Sequence, residues 1–157
     1  MKTTDYLSLD KSATKKVSAE LQNLLADFQL YYTNLRGFHW NVVGKQFFKL
    51  HDKFEELYDE ASDQIDEIAE RILMLGETPN HNFSDYLKVG EIKETGVVSD
   101  GREAVTLVLD YLKVLIAKER KILEIADEAN DEGTIALIGE YISSQEKTVW
   151  MLTALLS

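Results

Sequence analysis

Two pairs of side chains with metal-binding chemistry recur in the central part of the sequence. His51 and Glu55 stand four residues apart, and Asp66 and Glu70 repeat that spacing fifteen residues later. Residues four apart lie on one face of an α-helix, one turn apart, so each pair can hold a single ion. The two pairs cannot hold the same ion within one helix, because fifteen residues span about 22 Å. One helix therefore offers two half-sites.

A second copy of the chain would complete both half-sites. If the copies pack antiparallel, with a two-fold axis near Glu60 or Ala61, the first pair of one copy faces the second pair of the other. The same operation generates a second, identical site. The spacing demands only a dimer.

A further imidazole precedes the first pair. His39 lies twelve residues before His51, and the segment Asn41-Val42-Val43-Gly44 stands between them. This segment would let one helix end and the next begin. A turn there would fold His39 back toward His51.

The donor types indicate a borderline-hard metal. Carboxylates combined with imidazoles suit iron, manganese or zinc, and the sequence has no cysteine to favour soft metals. Two histidines and three carboxylates from two chains leave positions open for an oxidant or water. Open positions favour chemistry on the metal over a structural clip.

A simpler interpretation of the acids is a solvated helix face. Acid pairs four apart are common in a chain with 28 Asp and Glu, so any single acid is more typical of exposed surface. His51 differs from the acids, because it stands among Phe47, Phe48, Leu50 and Phe54. We expect it near buried surface.

These residues stand in a longer pattern of fixed spacing. The string HWNVVGKQFFKLH is followed by glutamate four residues after its last histidine, and then by DEIAER. In this the chain resembles the Dps family, the DNA-binding proteins from starved cells, also called miniferritins. The family pattern is matched position by position, and the helical pattern outside the motif extends the likeness over essentially the whole chain.

The resemblance implies an all-α, ferritin-like four-helix bundle with the activity of a ferroxidase. Such a protein oxidises Fe(II), usually with hydrogen peroxide and otherwise with oxygen, and stores the ferric mineral inside a hollow shell of twelve subunits. Iron is the implied metal, with zinc as a substitute. The expected protection is against oxidative stress.

The resemblance also implies a ligand set. His39, His51 and Glu55 come from one subunit, and Asp66 and Glu70 come from its two-fold mate. The sequence departs from the family at one ligand, because Glu55 stands where aspartate is usual. The longer side chain still reaches a metal, but it can alter affinity or the occupancy of a second iron position.

Two tryptophans and the third histidine are interpreted separately. Trp40 and Trp150 resemble tryptophans that lie near the family's iron site and pass or absorb oxidising equivalents. Their residue type and apolar surroundings alone are more typical of core. His81 has no ligand partner at helical spacing, and we expect it at the surface.

Composition limits the class of protein. The 157 residues suffice for one domain, which we place at 1–157 with a short tail at 1–13, and 45% hydrophobic content is ordinary for a chain that buries a core. The first twenty residues contain no apolar core of a signal peptide, and no run approaches the roughly 18 apolar residues of a membrane span. A cytoplasmic protein without disulfides or membrane contact is expected.

Net charge argues against DNA as a partner. The formal charge is −11, whereas phosphate contacts need concentrated lysine and arginine. DNA-binding members of the resembled family often use flexible lysine-rich termini. Here the first twenty residues hold only Lys2, Lys11, Lys15 and Lys16, and the C-terminus has no basic extension. DNA binding is not expected, although twelve weak tails acting together would strengthen it at low salt.

Apolar periodicity predicts four long helices. They run from Thr14 to about Trp40, from about Gln46 to Leu75, from a cap at Asp100 to about Ala129, and from about Asp131 to Leu155. Inward positions are Leu21, Leu24, Leu25, Phe28, Tyr31, Tyr32, Leu35 and Phe38 in the first helix and Val105, Val108, Leu109, Leu112, Leu115 and Ile116 in the third. The connection at 77–99 has the length of a ferritin-like crossover, and its segment SDYLKVG predicts a short helix capped by Ser84.

Acids cluster where the third helix gives way to the fourth. They are Glu124, Asp127, Glu128, Asp131 and Glu132. Acids at a helix C-terminus oppose its dipole at a cost of about 0.3–1 kcal/mol each, which would be tolerated in a funnel that concentrates Fe(II). A solvated corner, with some of the acids at the N-terminus of the last helix, explains the cluster equally well.

Three functions remain open at this point. The favoured one is the iron-oxidising storage protein. The second is a nucleoid-associated protein that shields DNA physically, and the third is a helical assembly whose metal site only pins the dimer with zinc.

Overall fold

The fold is taken from a computed structural model, which describes residues 3–157. A 3-10 turn at Thr3–Asp5 precedes five α-helices. They are α1 (Lys11–Asn41), α2 (Phe47–Met74), α3 (Phe83–Val89), α4 (Gly101–Glu128) and α5 (Glu132–Leu156). The four long helices form a bundle and α3 lies in the connection between α2 and α4, which confirms the predicted architecture.

Aspartates start three of the long helices. Asp10, Asp100 and Asp131 each accept a hydrogen bond from a backbone N–H of the first turn, which satisfies a donor that has no partner inside the helix. The predicted cap at Asp100 is confirmed, and the last helix, expected to start at about Asp131, begins at Glu132 with Asp131 as its cap. The predicted start at Thr14 is wrong by one turn, because Asp10 lets α1 begin at Lys11.

The bundle core consists of the apolar stripes of the long helices. Phe28, Phe38 and Phe54 are its largest fully buried side chains. Burying such a side chain contributes about 1.5–3 kcal/mol. Phe38 and Phe54 pack together and hold α1 against α2, and Phe28 packs against Tyr141 of α5. All predicted inward positions are buried except Tyr32, Leu109 and Ile116, which are half-buried at the edges of the core.

Polar side chains of α1 fix the connection between α2 and α4. Asn34 donates to the backbone oxygen of Lys93 and accepts from the N–H of Thr95, and the buried Asp27 accepts from the N–H of Ile92. A segment without regular structure thus obtains partners for its backbone. The short helix α3 is confirmed, but Asn82 and not Ser84 occupies its cap position.

A carboxyl group lies inside the bundle between α4 and α5. Glu119 is fully buried, and its Oε1 accepts a hydrogen bond of 2.6 Å from Nε2 of Gln145. Within residues 3–157, neither Oε2 of Glu119 nor Oε1 of Gln145 has a hydrogen-bond partner. Burial raises the pKa of Glu119 to about 8, although the hydrogen bond from Gln145 opposes the shift. Glu119 is therefore protonated in the folded state at neutral pH.

Replacement Glu119→Gln should change how stability depends on pH. Between the ordinary glutamate pKa of 4.5 and about 8, the folded chain keeps a proton that the unfolded chain has lost. Raising the pH through this window therefore destabilises the native protein, by up to about 1.4 kcal/mol per pH unit from this group. The glutamine variant has no carboxyl group to titrate at this position. Its free energy of unfolding, relative to that of the wild type, should therefore rise from about pH 5 to about pH 8 and then become constant.

The measurement is urea denaturation of both proteins across that range at equal protein concentration. Glu140→Gln on the exposed surface of α5 is the matched control, and it should follow the wild-type profile. Parallel pH profiles for wild type and Glu119→Gln would contradict the buried, protonated state.

Candidate metal centre

The turn between α1 and α2 brings the two helices antiparallel. Beyond Asn41, the N–H of Val43 donates to the backbone oxygen of Ser99 instead of continuing the helix. Gly44 then adopts φ +105°, a backbone conformation that glycine reaches without steric cost. Its oxygen accepts from the N–H of Phe47, where α2 begins. The predicted break is confirmed.

This turn stacks two imidazole rings. The rings of His39 and His51 lie 3.8 Å apart between centroids, at 18° to each other. Nδ1 of His39 is 2.8 Å from the backbone oxygen of His51, and Nδ1 of His51 is 2.9 Å from the backbone oxygen of His39. The predicted approach of His39 to His51 therefore takes the form of a reciprocal pair of hydrogen bonds.

These hydrogen bonds determine the tautomer of both rings. A backbone carbonyl only accepts, so each Nδ1 carries a proton, and in the neutral form of the ring Nε2 has the free lone pair. The carbonyl of His39 is available because it lies in the last turn of α1, where the helix supplies no donor. Imidazoles whose Nδ1–H is held by an outer hydrogen bond and whose Nε2 points to a shared cluster are the type of side chain that can bind a metal.

Glu55 completes a three-residue cluster with the histidines. Single ligand atoms of His39, His51 and Glu55 lie within 4.8 Å of one another. His39 is buried, His51 is half-buried and Glu55 is exposed, so the cluster opens from the bundle to the surface. Its N and O donors suit Fe(II) or Zn(II), and three donors leave coordination positions free.

Asp66 and Glu70 lie on the same helix but far from this cluster. Both are exposed on α2, which continues without a break from Phe47 to Met74. At 3.6 residues per turn, His51, Glu55, Asp66 and Glu70 fall within a stripe about 100° wide. The structure thus places both half-sites on one face of α2 and does not bring them together in one chain.

Tyr58 borders the cluster. Its ring meets that of His39 edge-on with centroids 5.3 Å apart, and its hydroxyl oxygen lies 3.5 Å from Oε1 of Glu55. Partial burial and the nearby carboxylates of Glu55 and Asp59 raise the pKa of Tyr58. Sequence reasoning missed this residue, although its position three after Glu55 puts it on the ligand face of α2.

The two tryptophans are at the surface and not in the core. Trp40 is 64% exposed and Trp150 is 68% exposed, which corrects the prediction drawn from their surroundings. Trp40 follows the candidate ligand His39, and the guanidinium of Arg36 lies over its ring, 4.6 Å from the centroid. His81 is exposed, as predicted.

The acidic cluster between α4 and α5 divides into two kinds of residue. Glu124, Asp127, Glu128 and Glu132 are exposed. Asp131 is 1% exposed and accepts from the N–H and hydroxyl of Thr134 and from the guanidinium of Arg71. Asp131 is therefore a structural residue of the interior and cannot line a funnel with the others.

No helix within residues 3–157 combines the length and apolarity needed to cross a lipid bilayer. This agrees with the even spread of charged residues along the sequence.

Comparison with known proteins identifies the family. The model of the ferritin-like domain matches residues 18–157. The DNA protection during starvation protein of Porphyromonas gingivalis is 47% identical over 98% of this chain and 96% of its own length. The crystal structure of a Dps protein from Vibrio cholerae, a ferritin-like diiron-carboxylate protein, aligns with TM-score 0.95 at 49% identity over 97% of this chain and 96% of that one. Dps from Listeria innocua soaked with zinc aligns with TM-score 0.86 at 26% identity over 89% and 95%. The chain belongs to the Dps family within the ferritin-like superfamily.

Proposed function

We propose that this protein is a ferroxidase that oxidises Fe(II) with hydrogen peroxide and stores the Fe(III) mineral inside a hollow shell of its own subunits. One observation carries the proposal. The reciprocal hydrogen bonds between His39 and His51 leave both Nε2 atoms free beside the carboxylate of Glu55. Because the chain belongs to the Dps family, iron is the metal that we expect these donors to bind as substrate.

The chain's own residues explain how Fe(II) is bound and oxidised. Neutral imidazoles bind Fe(II) without adding charge, and carboxylates favour the higher charge of Fe(III). Their combination lowers the cost of losing an electron at the site. Hydrogen peroxide takes two electrons, which two iron equivalents supply. Fe(III) then leaves for the interior of the shell, and both reagents of hydroxyl-radical chemistry have been consumed.

The second half-site supports an arrangement across two chains. Asp66 and Glu70 face outward on the same stripe as His51 and Glu55. A second chain packed antiparallel would therefore place its two acids beside the three-residue cluster of the first, and the two-fold axis would repeat this arrangement in a second, identical site. We assign all five side chains as ligands and Trp40 and Trp150 as aromatic neighbours of the site. We further propose the family's assembly of twelve subunits.

The exposed acids between α4 and α5 fit a route for iron into the shell. Glu124, Asp127, Glu128 and Glu132 together form a negative surface that attracts divalent cations from solution. Asp131 is left out of this proposal because its carboxylate is buried and engaged. Zinc, which prefers the same donors, is expected to compete with iron at the ligands rather than to replace the activity.

Removing a ligand histidine should abolish rapid iron oxidation. Fe(II) is added anaerobically to the purified protein, hydrogen peroxide follows, and ferric absorbance is recorded. His51→Ala removes one ligand and one of the two reciprocal hydrogen bonds, so we expect at least a tenfold slower reaction, in line with losses seen at metal ligands and their supports. His81→Ala, which alters the exposed third histidine, is the matched control and should react like the wild type. Equal rates in His51→Ala and wild type would overturn the proposed function.

Mixing two inactive variants should restore activity if the site is shared between chains. His51→Ala damages the first half-site and Asp66→Ala the second. In a dimer that contains one chain of each kind, one site has lost both residues and the other has lost neither. Random pairing then restores about a quarter of the sites.

The experiment is coexpression of the two variants with different affinity tags, and purification through both tags. Ferric absorbance should recover in the mixed assembly and remain low in each variant alone. No recovery in an assembly shown to contain both chains would place all ligands within one subunit.

DNA protection by direct binding is a second candidate, favoured by the name of the Porphyromonas gingivalis relative. The structure gives it little support. Lys11, Lys15 and Lys16 belong to α1 and not to a flexible tail, and Lys11 is paired with Asp5 at 2.7 Å. Lys2 lies outside the described residues. Protection by removal of iron and peroxide needs no contact with DNA.

Gel-shift experiments should therefore show no binding of duplex DNA at physiological salt. With a formal charge of −11 per chain, assembly multiplies the repulsion between protein and phosphate. The same titration at low salt is the control for weak, cooperative attachment. A retained, salt-sensitive shift near physiological ionic strength would establish DNA binding as a function of the assembly.

A further inference from the structure

A small cavity lies between the four long helices of the bundle. It measures about 10 Å³, which is the space that one water-sized atom or ion needs. Leu57 and Leu112 form its apolar part. The rest of its lining is polar and comes from α1, α2 and α5, namely Tyr31, Glu60, Gln64, Ser144, Gln145 and Thr148. Oxygen atoms around a space of this size can hold either a water molecule or a cation.

The amide of Gln145 offers this cavity an oxygen that nothing else uses. Gln145 is 5% exposed, and its Nε2 donates to Oε1 of Glu119. Because the amide is planar and its nitrogen is turned to Glu119, its oxygen Oε1 points to another side. Within residues 3–157 this Oε1 has no hydrogen-bond partner. A buried carbonyl oxygen without a partner costs free energy unless a ligand meets it.

The charge of the lining favours a cation over water. Glu60 is half-buried and accepts a hydrogen bond from the hydroxyl of Ser144, and among the described residues it belongs to no ion pair. No lysine or arginine lines the cavity. A water molecule would satisfy the amide oxygen of Gln145 but leave the charge of Glu60 uncompensated. Carboxylate, amide and hydroxyl oxygens are the ligands that hard divalent cations prefer.

We propose that this cavity binds one hard divalent cation, of the Mg(II) or Mn(II) type, through the carboxylate of Glu60 and Oε1 of Gln145. The hydrogen bond to Glu119 holds the amide in the orientation that binding requires. The cation would connect α2 to α5 inside the bundle. Glu60 lies about 13 Å along α2 from His51 and about 80° beyond the edge of the stripe that carries the assigned iron ligands. The inference therefore does not rest on the proposed ferroxidase function.

Titration of the assembled protein with Mn(II) tests the proposal. All samples carry His51→Ala, which removes a ligand of the candidate metal centre, and physiological salt weakens attachment of the ion to exposed acids. Electron paramagnetic resonance measures the free Mn(II), and the bound amount per chain follows by difference. Gln145→Met keeps the length of the side chain without its oxygen, and Glu60→Gln keeps the shape of the side chain without its charge.

We expect one tightly bound Mn(II) per chain in the His51→Ala protein, and binding that is weaker by about tenfold or more when either cavity residue is also replaced. Mg(II) should displace the bound Mn(II), because it prefers the same oxygen ligands. Glu140→Gln is the matched control, since it removes the same charge from the exposed surface of α5, one turn before Ser144. It should leave the binding unchanged.

Two results would overturn the inference. If the His51→Ala protein binds no Mn(II) tightly, the cavity holds water only. If tight binding persists in Gln145→Met or in Glu60→Gln, the ion lies elsewhere on the chain. Size-exclusion chromatography shows whether each variant still assembles, and Glu60→Gln decides alone if Gln145→Met does not. Iron oxidation plays no part in the measurement, so a failure of the proposed ferroxidase would leave this result standing.

Discussion

The reciprocal hydrogen bonds between His39 and His51 are the constraint on which the candidate site depends. Each ring donates from Nδ1 to the other residue's backbone oxygen, so two hydrogen bonds between side chain and main chain connect α1 to α2. The same bonds select the tautomer that exposes Nε2. The register of α1 against α2, the orientation of both rings and the accessibility of their Nε2 atoms therefore all depend on the same two hydrogen bonds.

The bundle behind this arrangement is what makes it rigid. Phe38 and Phe54, one residue before His39 and three after His51, are fully buried and contact each other with centroids 5.7 Å apart. Their packing holds the backbone from which both histidines project. Glu55 has no such support at the surface, and its position depends on its helix and on Tyr58. The candidate site thus combines two fixed nitrogen donors with one adaptable oxygen donor.

The sequence predicted most where the relevant residues lie on a single helix. The spacing of His51, Glu55, Asp66 and Glu70 and the cap at Asp100 follow from helical geometry, and the structure has them on the predicted helices. The burial of Asp131 by Arg71 and the exposure of Trp40 depend on which surfaces the helices turn toward each other. Periodicity within one helix does not contain that information. The hydrogen bonds of the histidines also escaped prediction, because they join side chains to backbone oxygens of another helix, and the oxygen of His39 is available only because α1 ends at Asn41.

In the proposed dimer, the exposed acids of α2 would couple iron binding to subunit association. Within residues 3–157 no ion pair involves Glu55, Asp66 or Glu70, and all three face solvent on one stripe. Bringing two such stripes together in the proposed dimer sets carboxylates against carboxylates, which is unfavourable in the lowered dielectric of an interface. A divalent cation in each shared site converts that repulsion into attraction. By linkage, any such stabilisation of the dimer by iron equals the gain in iron affinity caused by the partner. Acids that would oppose association without metal are then the residues that make the completed site selective for a bound cation.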